Sequence, residues 1–274
     1  MAEAVSSANE GANFSEYGQP SEHALKYELL KRIGSGGFGD VIKSRHLATN
    51  TFVAIKLLRY DPTKAQDDAY KESWNIYKAG KHPNIALEFD SFRFSPTHHA
   101  IAMELFDMDL SHFFKPRHNR VIPLMVDVSL QSVTGLAYLH TRQPPLIHRD
   151  IKPQNILIKT DLRTKTIVAK LSDFGLSNIL ESGHTLENPT VQELVNAIKN
   201  MMTTAGGRGT KAFLASEFFA AKDGRGLVNG KFRVDPSVDI FALGLVYLYI
   251  FCHNYSDYGK FNFLSLVFKN TNSC

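Results

Sequence analysis

Eight consecutive residues, His148-Arg149-Asp150-Ile151-Lys152-Pro153-Gln154-Asn155, set an ammonium two residues after a carboxylate and a carboxamide five residues after it. That set suits transfer of a negatively charged group. The Asp150 carboxylate can accept or orient a hydroxyl proton, and Lys152 can match charge that builds up on the group in transit. A second carboxylate, in Asp173-Phe174-Gly175, follows 18 residues after Asn155. One carboxylate and one amide leave most ligand positions to phosphate and water, as magnesium prefers. Earlier in the chain, Gly34-Ser35-Gly36-Gly37-Phe38-Gly39 carries the pattern G-x-G-x-x-G. Glycines allow positive φ and close backbone approach, so amide hydrogens there can face phosphate oxygens. Val53-Ala54-Ile55-Lys56 follows, with Lys56 lying 17 residues after Gly39. An alternating strand ending in Lys56 can aim its ammonium at those phosphates.

The elements that must hold these residues can be read in outline. Strands are expected over 27–33, 40–46 and 51–58, with Ala48-Thr49-Asn50 as the turn between the last two. The glycines therefore sit in a β-hairpin. A dinucleotide site with a similar string needs a helix directly after the glycines, so that reading is set aside. Residues 63–81 have helical character, ending near Gly80 with Pro83 beyond. On that helix Glu72, Ile76 and Ala79 share one face. Strands over 91–94 and 100–105 complete a strand-rich first part. Then comes a long helix over 123–141 with an apolar face of Leu124, Val128, Val133, Leu136 and Leu139. Short strands at 146–147, 156–159 and 167–171 follow, and a helix over 239–251 that is apolar nearly all round.

Together these strings resemble the catalytic domain of eukaryotic-type protein kinases, over about residues 27–252. The resemblance implies an α+β bilobal fold, with an antiparallel sheet plus one helix in the N-lobe and a mainly helical C-lobe. It implies ATP and Mg2+ as cofactors. It makes Asp150 the catalytic base, Lys152 the stabiliser of the transferring phosphoryl group, and Lys56 the phosphate ligand held by Glu72. Asn155 and Asp173 become the metal ligands. The nucleotide would meet Gly34, Ser35, Gly36, Gly37, Phe38 and Gly39 of the lid. Val41, Ala54 and Leu157 would sandwich its base, Met103 would be the gatekeeper, Glu104 to Phe106 the hinge, and Asp109 a ribose contact. Lys152 and Thr210 are similar to the serine/threonine class, so the partner implied is a protein Ser or Thr hydroxyl; self-phosphorylation and dimerisation stay open. Ile101-Ala102-Met103-Glu104-Leu105 and Val238-Asp239-Ile240-Phe241 resemble the inositol-requiring stress-sensor kinases.

The chain also departs from the family. Asp173 to Glu217 spans 45 residues, longer than usual. Within it a capping-box string at Thr190 precedes an apolar stripe of Val191, Leu194, Val195, Ile198 and Met202, so a short amphipathic helix is expected. Thr203, Thr204 and Ser182 are candidate phosphosites, and Ser216 stands where the family has proline. The family's last helices are not recognisable after Cys252, and the C-lobe reads as truncated. The expected domains are a flexible tail over 1–25, a kinase domain over 26–252 divided near residue 105, and an atypical end over 253–274. A pseudokinase-like or fragmentary nucleotide-binding interaction module is the alternative to an enzyme.

Composition narrows the setting. The chain has 274 residues, a net charge of +4 and two cysteines. The basic residues are spread out, so no specific nucleic-acid partner is expected. Cys252 and Cys274 make no disulfide framework, which fits a reducing, cytoplasmic or nuclear setting. The most apolar run, 240–252, is too short to span a bilayer, and no membrane is expected.

Overall fold

The structure, a computed structural model, describes residues 14–36, 39–60, 68–116, 119, 121–161, 163–164, 166–179, 227–228, 231–232 and 236–251. The chain divides into two units, residues 1–70 with 88–105 and residues 71–87 with 106–274.

The first unit is built on one antiparallel sheet in the order β1-β2-β3-β5-β4. Its strands are β1 (Tyr27–Gly36), β2 (Gly39–His46), β3 (Thr51–Arg59), β4 (Glu88–Ser95) and β5 (His98–Glu104). Val41 lies opposite Lys56, Lys56 opposite Ile101, and Ala54 opposite Met103. Opposed residues share a face and neighbours alternate. One face therefore carries Val41, Ala54, Lys56, Ile101 and Met103. The other carries Ile42, Val53, Ile55, Leu57, Phe92, Ala100 and Ala102, which belong to one apolar core.

Residues 14–25, expected to be part of a flexible tail, are ordered against that second face. Two 3-10 turns, Ser15–Tyr17 and Ala24–Lys26, bury Tyr17 and Ala24 in the core, and Phe14 packs beside them. The sheet supplies the reason. Its second face is aliphatic and aromatic, and burying a large apolar side chain there gains about 1.5–3 kcal/mol.

The second unit takes in α1 (Asp68–Ala79) from Lys71 onward, then β6 (Met108–Asp109), α2 (Leu110–Phe113), α3 (Ile122–His140) and β7 (Leu146–Ile147). After these come β8 (Ile156–Asp161), β9 (Thr166–Leu171), β10 (Asn178–Ile179), β11 (Leu227–Val228), β12 (Lys231–Phe232) and α4 (Ser237–Phe251). The sequence reading put the 63–81 helix with the N-lobe sheet. From Lys71 it groups with the second unit, in which the Asn75 amide donates to the carbonyls of Phe174 (3.0 Å) and Ser177 (2.9 Å).

α3 starts with Pro123 in its first turn, where a missing N–H costs no hydrogen bond. By length and composition it could cross a bilayer, which the sequence reading did not notice. One side of it is buried in the second unit, while Ile122, Val126, Leu130 and Val133, the last expected on its apolar face, are exposed. Met125, Val128, Leu136 and Leu139 are buried. Gln131 ties it to β9, donating to Ile167 O (2.9 Å) and accepting from Ala169 N (2.8 Å). Gly135 lets the Asn84 carbonyl approach, since a Cβ there would stand 2.7 Å from that oxygen. Asn84 in turn accepts from Leu171 N and donates to Ala169 O. In α4, Val246 and Ile250 are fully buried while Ile240 and Leu248 stay exposed, so the helix is buried on one side only.

Candidate active site

In the first unit the expected nucleotide-binding residues lie on a sheet face and a hairpin. On the face, Ala54 and Lys56 are buried. The hairpin pairs Gly34 with Val41, Ser35 with Asp40 and Gly36 with Gly39. Gly39 has φ +115°, and a Cβ on it would lie 2.1 Å from the Leu57 carbonyl oxygen. No other residue type fits there, so the last glycine of the pattern lets β2 leave the hairpin tight against β3. Gly37 and Phe38 lie outside the described residues.

The second unit brings the charged residues together. Asp150 is 5% exposed. Lys152 Nζ donates to its Oδ2 (2.6 Å), and the Asn155 amide nitrogen donates to the same oxygen and to the Asp150 carbonyl, both at 2.8 Å. Burial, with Asp173 nearby, holds the Asp150 carboxyl above the usual range despite Lys152. A raised carboxylate is the better proton acceptor, and raised values mark groups tuned for acid–base work.

The backbone under this loop is held in an unusual shape. Arg149 and Asp173 both have φ +65°. Side-chain-bearing residues rarely adopt that region unless the surroundings enforce it, and such residues cluster at functional sites. At Arg149 the enforcing group is Asp239, 1% exposed in the first turn of α4. Its carboxylate accepts from the amides of His148 and Arg149, each at 2.7 Å, and pairs with His140 Nε2 at 2.8 Å. Burial brings the Arg149 guanidinium down to about 10, with Asp239 opposing the shift. Its Nε donates to the Leu176 carbonyl.

The Asp173 segment is clamped from both sides. His148 Nε2 meets the Ser172 carbonyl at 3.0 Å, and its Nδ1 accepts from Asp150 N at 3.3 Å, which puts the ring hydrogen on Nε2. Ser172 N donates to Asn155 O (2.9 Å). Phe174 is buried, 5.0 Å from the His148 ring. Asn75 holds the far end, and a Cβ on Gly175 would stand 3.3 Å from Glu72 Oε2. Glu72, Ile76 and Ala79 form one buried side of α1.

Other expected residues are placed as follows. Leu157 is in β8, opposite Asp109. The Asp109 carboxylate caps α2, accepting from His112 N (3.0 Å) and Ser111 Oγ (2.5 Å). A ribose contact would have to compete with that cap. Met103 and Glu104 end β5, and Phe106 opens the 106–274 stretch of the second unit. The helix expected over 191–202, Ser182, Thr203, Thr204, the closing string to Glu217 and the 253–274 end lie outside the described residues. Asn75 was missed by the sequence reading, since nothing in its spacing marks it.

A divalent cation fits the donors present. Among the described residues no cluster of three His, Cys, Asp or Glu could hold a metal. With the Asn155 nitrogen committed to Asp150, its oxygen is the atom left to ligate. That oxygen and the Asp173 carboxylate are two hard ligands, the number magnesium uses when phosphates and water supply the rest.

Residues 27–259 match the family model described as "Protein kinase domain". Among curated proteins, serine/threonine-protein kinase tousled-like 2 of Xenopus tropicalis is 28% identical over 233 residues, covering 81% of this chain and 30% of that protein. The SNF1-like protein kinase ssp2 of Schizosaccharomyces pombe is 26% identical over 254 residues, covering 92% of this chain and 38% of that protein. Receptor-interacting serine/threonine-protein kinase 3 of Rattus norvegicus is 35% identical over 158 residues, 55% of this chain and 30% of that protein. The chain thus spans about a third of the length of these relatives.

Proposed function

The chain belongs to the protein kinase family, and from that premise we propose that it transfers the γ-phosphoryl group of ATP to Ser or Thr hydroxyls of proteins. The observation that carries this reading is the buried Asp150 with its two donors, Lys152 and Asn155, on a loop whose strained backbone Asp239 holds.

In this reading the substrate hydroxyl oxygen attacks the γ-phosphorus and the bond to the β–γ bridging oxygen breaks. ADP leaves with that electron pair, and the hydroxyl proton passes to the Asp150 carboxylate. Lys152, already 2.6 Å from Asp150, donates to the transferring oxygens. Lys56 holds the α- and β-phosphates, and the Gly34–Gly39 amides face phosphate oxygens. Asn155 and Asp173 would hold magnesium, which supplies charge neutralisation at the β- and γ-phosphates. Glu72, buried on α1 beside Gly175, is the residue that the family's pattern assigns as the partner of Lys56. The family's pattern assigns Val41 and Ala54, on the Lys56 face of the sheet, and Leu157 on β8 to contacts with the base, Met103 to the gatekeeper position and Glu104 to Phe106 to the hinge. The two cysteines suit a reducing compartment.

The test is transfer from labelled Mg-ATP to the protein itself and to a basic Ser/Thr substrate, with Asp150→Asn as control. Label that disappears in the control establishes the kinase. Label in the chain itself also establishes self-phosphorylation. A folded protein that binds Mg-ATP and transfers nothing would instead be a docking module.

A further inference from the structure

The glycine hairpin has little of its own to set its shape. The register of β1 against β2 shifts between Arg32 and Gly34, and beyond that point the β1 arm is Gly34, Ser35 and Gly36, with no apolar side chain to pack. Glycine-rich backbone has many accessible conformations, so a defined shape needs tethers. Among the described residues, a side-chain tether comes from outside the hairpin. The Tyr17 hydroxyl donates to Asp40 Oδ2 at 2.6 Å. Asp40 lies directly opposite Ser35 and also accepts the Ser35 hydroxyl. One carboxylate thus joins both arms of the hairpin to the N-terminal segment.

That segment is itself fastened. Tyr17 is 4% exposed, edge-on to His98 at 5.3 Å, with the Arg32 guanidinium 5.7 Å over its ring. Arg32 is paired with Glu16. Gly18 turns the chain at φ +81°. Ser21 then donates twice to β4, from N to Phe94 O and from Oγ to Arg93 O, both at 2.7 Å. His23 pairs with Asp90 (2.6 Å) and stacks on Phe92. Residues 14–26 are therefore a strap across the sheet face opposite Lys56, ending on the hairpin.

We propose that Tyr17 is a positioning residue for nucleotide binding: through Asp40 the strap holds the glycine hairpin in the shape that receives the phosphates. Tyr17 touches no reacting atom and acts only through Asp40. The inference rests on the kinase reading, in which the hairpin is the phosphate-binding element.

The test is the Mg-ADP affinity of the full chain, measured by calorimetry for wild type, Tyr17→Phe, Asp40→Asn and the double variant. Tyr17→Phe keeps the buried ring and loses only the hydroxyl. The dissociation constant is expected to rise about three- to tenfold, as loss of part of one charge-assisted hydrogen bond allows. In turnover, KM for ATP rises by the same factor while kcat and KM for the protein substrate hold, a split that simple loss of stability would not produce. Asp40→Asn raises the constant too, and the double variant is no worse than the poorer single one, since both act through one contact. Equal affinity in wild type and Tyr17→Phe, or additive effects in the double variant, would overturn the proposal and leave the kinase reading intact. A folded wild type that binds no Mg-ADP would overturn both.

Discussion

The Asp239 carboxylate accepts the Arg149 amide hydrogen at 2.7 Å, at the residue whose φ is +65°. The other carboxylate oxygen takes the His148 amide one residue earlier. Two successive N–H groups converging on one buried anion fix the peptide plane between them, and so fix the direction in which Asp150 leaves the loop. A residue from α4 thereby sets the loop that carries Asp150, about 90 positions away in sequence.

Asp239→Asn tests this. An asparagine offers one acceptor oxygen where two amides need acceptors, and turns its NH2 toward a donor. Hydrogen bonds to charged groups contribute about 1.5–3 kcal/mol, and a buried amide left alone costs a similar amount. The expected loss is about 2–4 kcal/mol, or a Tm lower by roughly 5–15 °C for a domain of this size. Phosphoryl transfer should fall with it. A variant with unchanged Tm and activity would mean that the loop holds its shape without Asp239.

Asp150→Asn should behave in the opposite way on stability. Its oxygen still accepts from Asn155, and the buried charge, whose carboxyl is pushed above the usual range, is gone. The fold is expected to keep or slightly raise its Tm, while transfer drops by about 10²–10⁴, the span of general-base catalysis. Circular dichroism beside the transfer assay separates the two effects. A large fall in Tm would show that Asp150 carries structure rather than chemistry.

What the sequence revealed and what it hid divide along one physical line. β3 was readable because Val53 to Leu58 form an apolar run broken only by Lys56, a local pattern. The loop from His148 to Asn155 was readable because its chemistry needs those types at short spacing. The strap was not. Phe14, Tyr17 and Ala24 follow no period, and they are buried only because a sheet face formed by distant residues awaits them. Asn75 is a polar helix residue with no flanking signal, and its two acceptors lie about 100 positions further on.

Asn75→Ala tests those two contacts. The Ser177 carbonyl loses the Asn75 donor, the Phe174 carbonyl keeps only the Ser177 amide, and the segment bearing Asp173 loses its tie to α1. Each buried group left without a partner costs about 1–3 kcal/mol. In this variant the magnesium concentration for half-maximal transfer should rise several-fold, beyond any change in Tm. Unchanged magnesium dependence would show that the Asp173 segment is positioned without Asn75.

Gly39→Ala should strike the hairpin directly. Its Cβ would meet the Leu57 carbonyl at 2.1 Å, and φ +115° is disfavoured for alanine. β2 must then move away from β3 at the point where Asp40 faces Leu57. Strain at such positions costs about 1–3 kcal/mol, and Mg-ADP affinity is expected to fall by at least tenfold. Affinity equal to wild type would mean that the hairpin's exit has no bearing on nucleotide binding.

The Tyr17–Asp40 tether also predicts a pH dependence with a definite sign. Burial pushes the Asp40 carboxyl up. The Ser35 and Tyr17 hydroxyls, with the charges of Arg32 on β1 and His98 on β5, outweigh that and hold it below the usual carboxylate range. A carboxyl lowered by folding contributes stability above its unfolded value of about 3.9 and loses it as pH falls through the lower folded value. The Tyr17 phenol, raised by burial and by Asp40, stays protonated throughout this window and remains the donor. Wild type should therefore exceed Tyr17→Phe in Tm near about pH 6, and the gap should narrow toward about pH 3 as Asp40 protonates. Because both proteins share every other carboxylate, including the similarly lowered Asp90, the gap isolates this one contact. A gap that stays constant from one end of the window to the other would place the donor's acceptor somewhere other than an ionised Asp40.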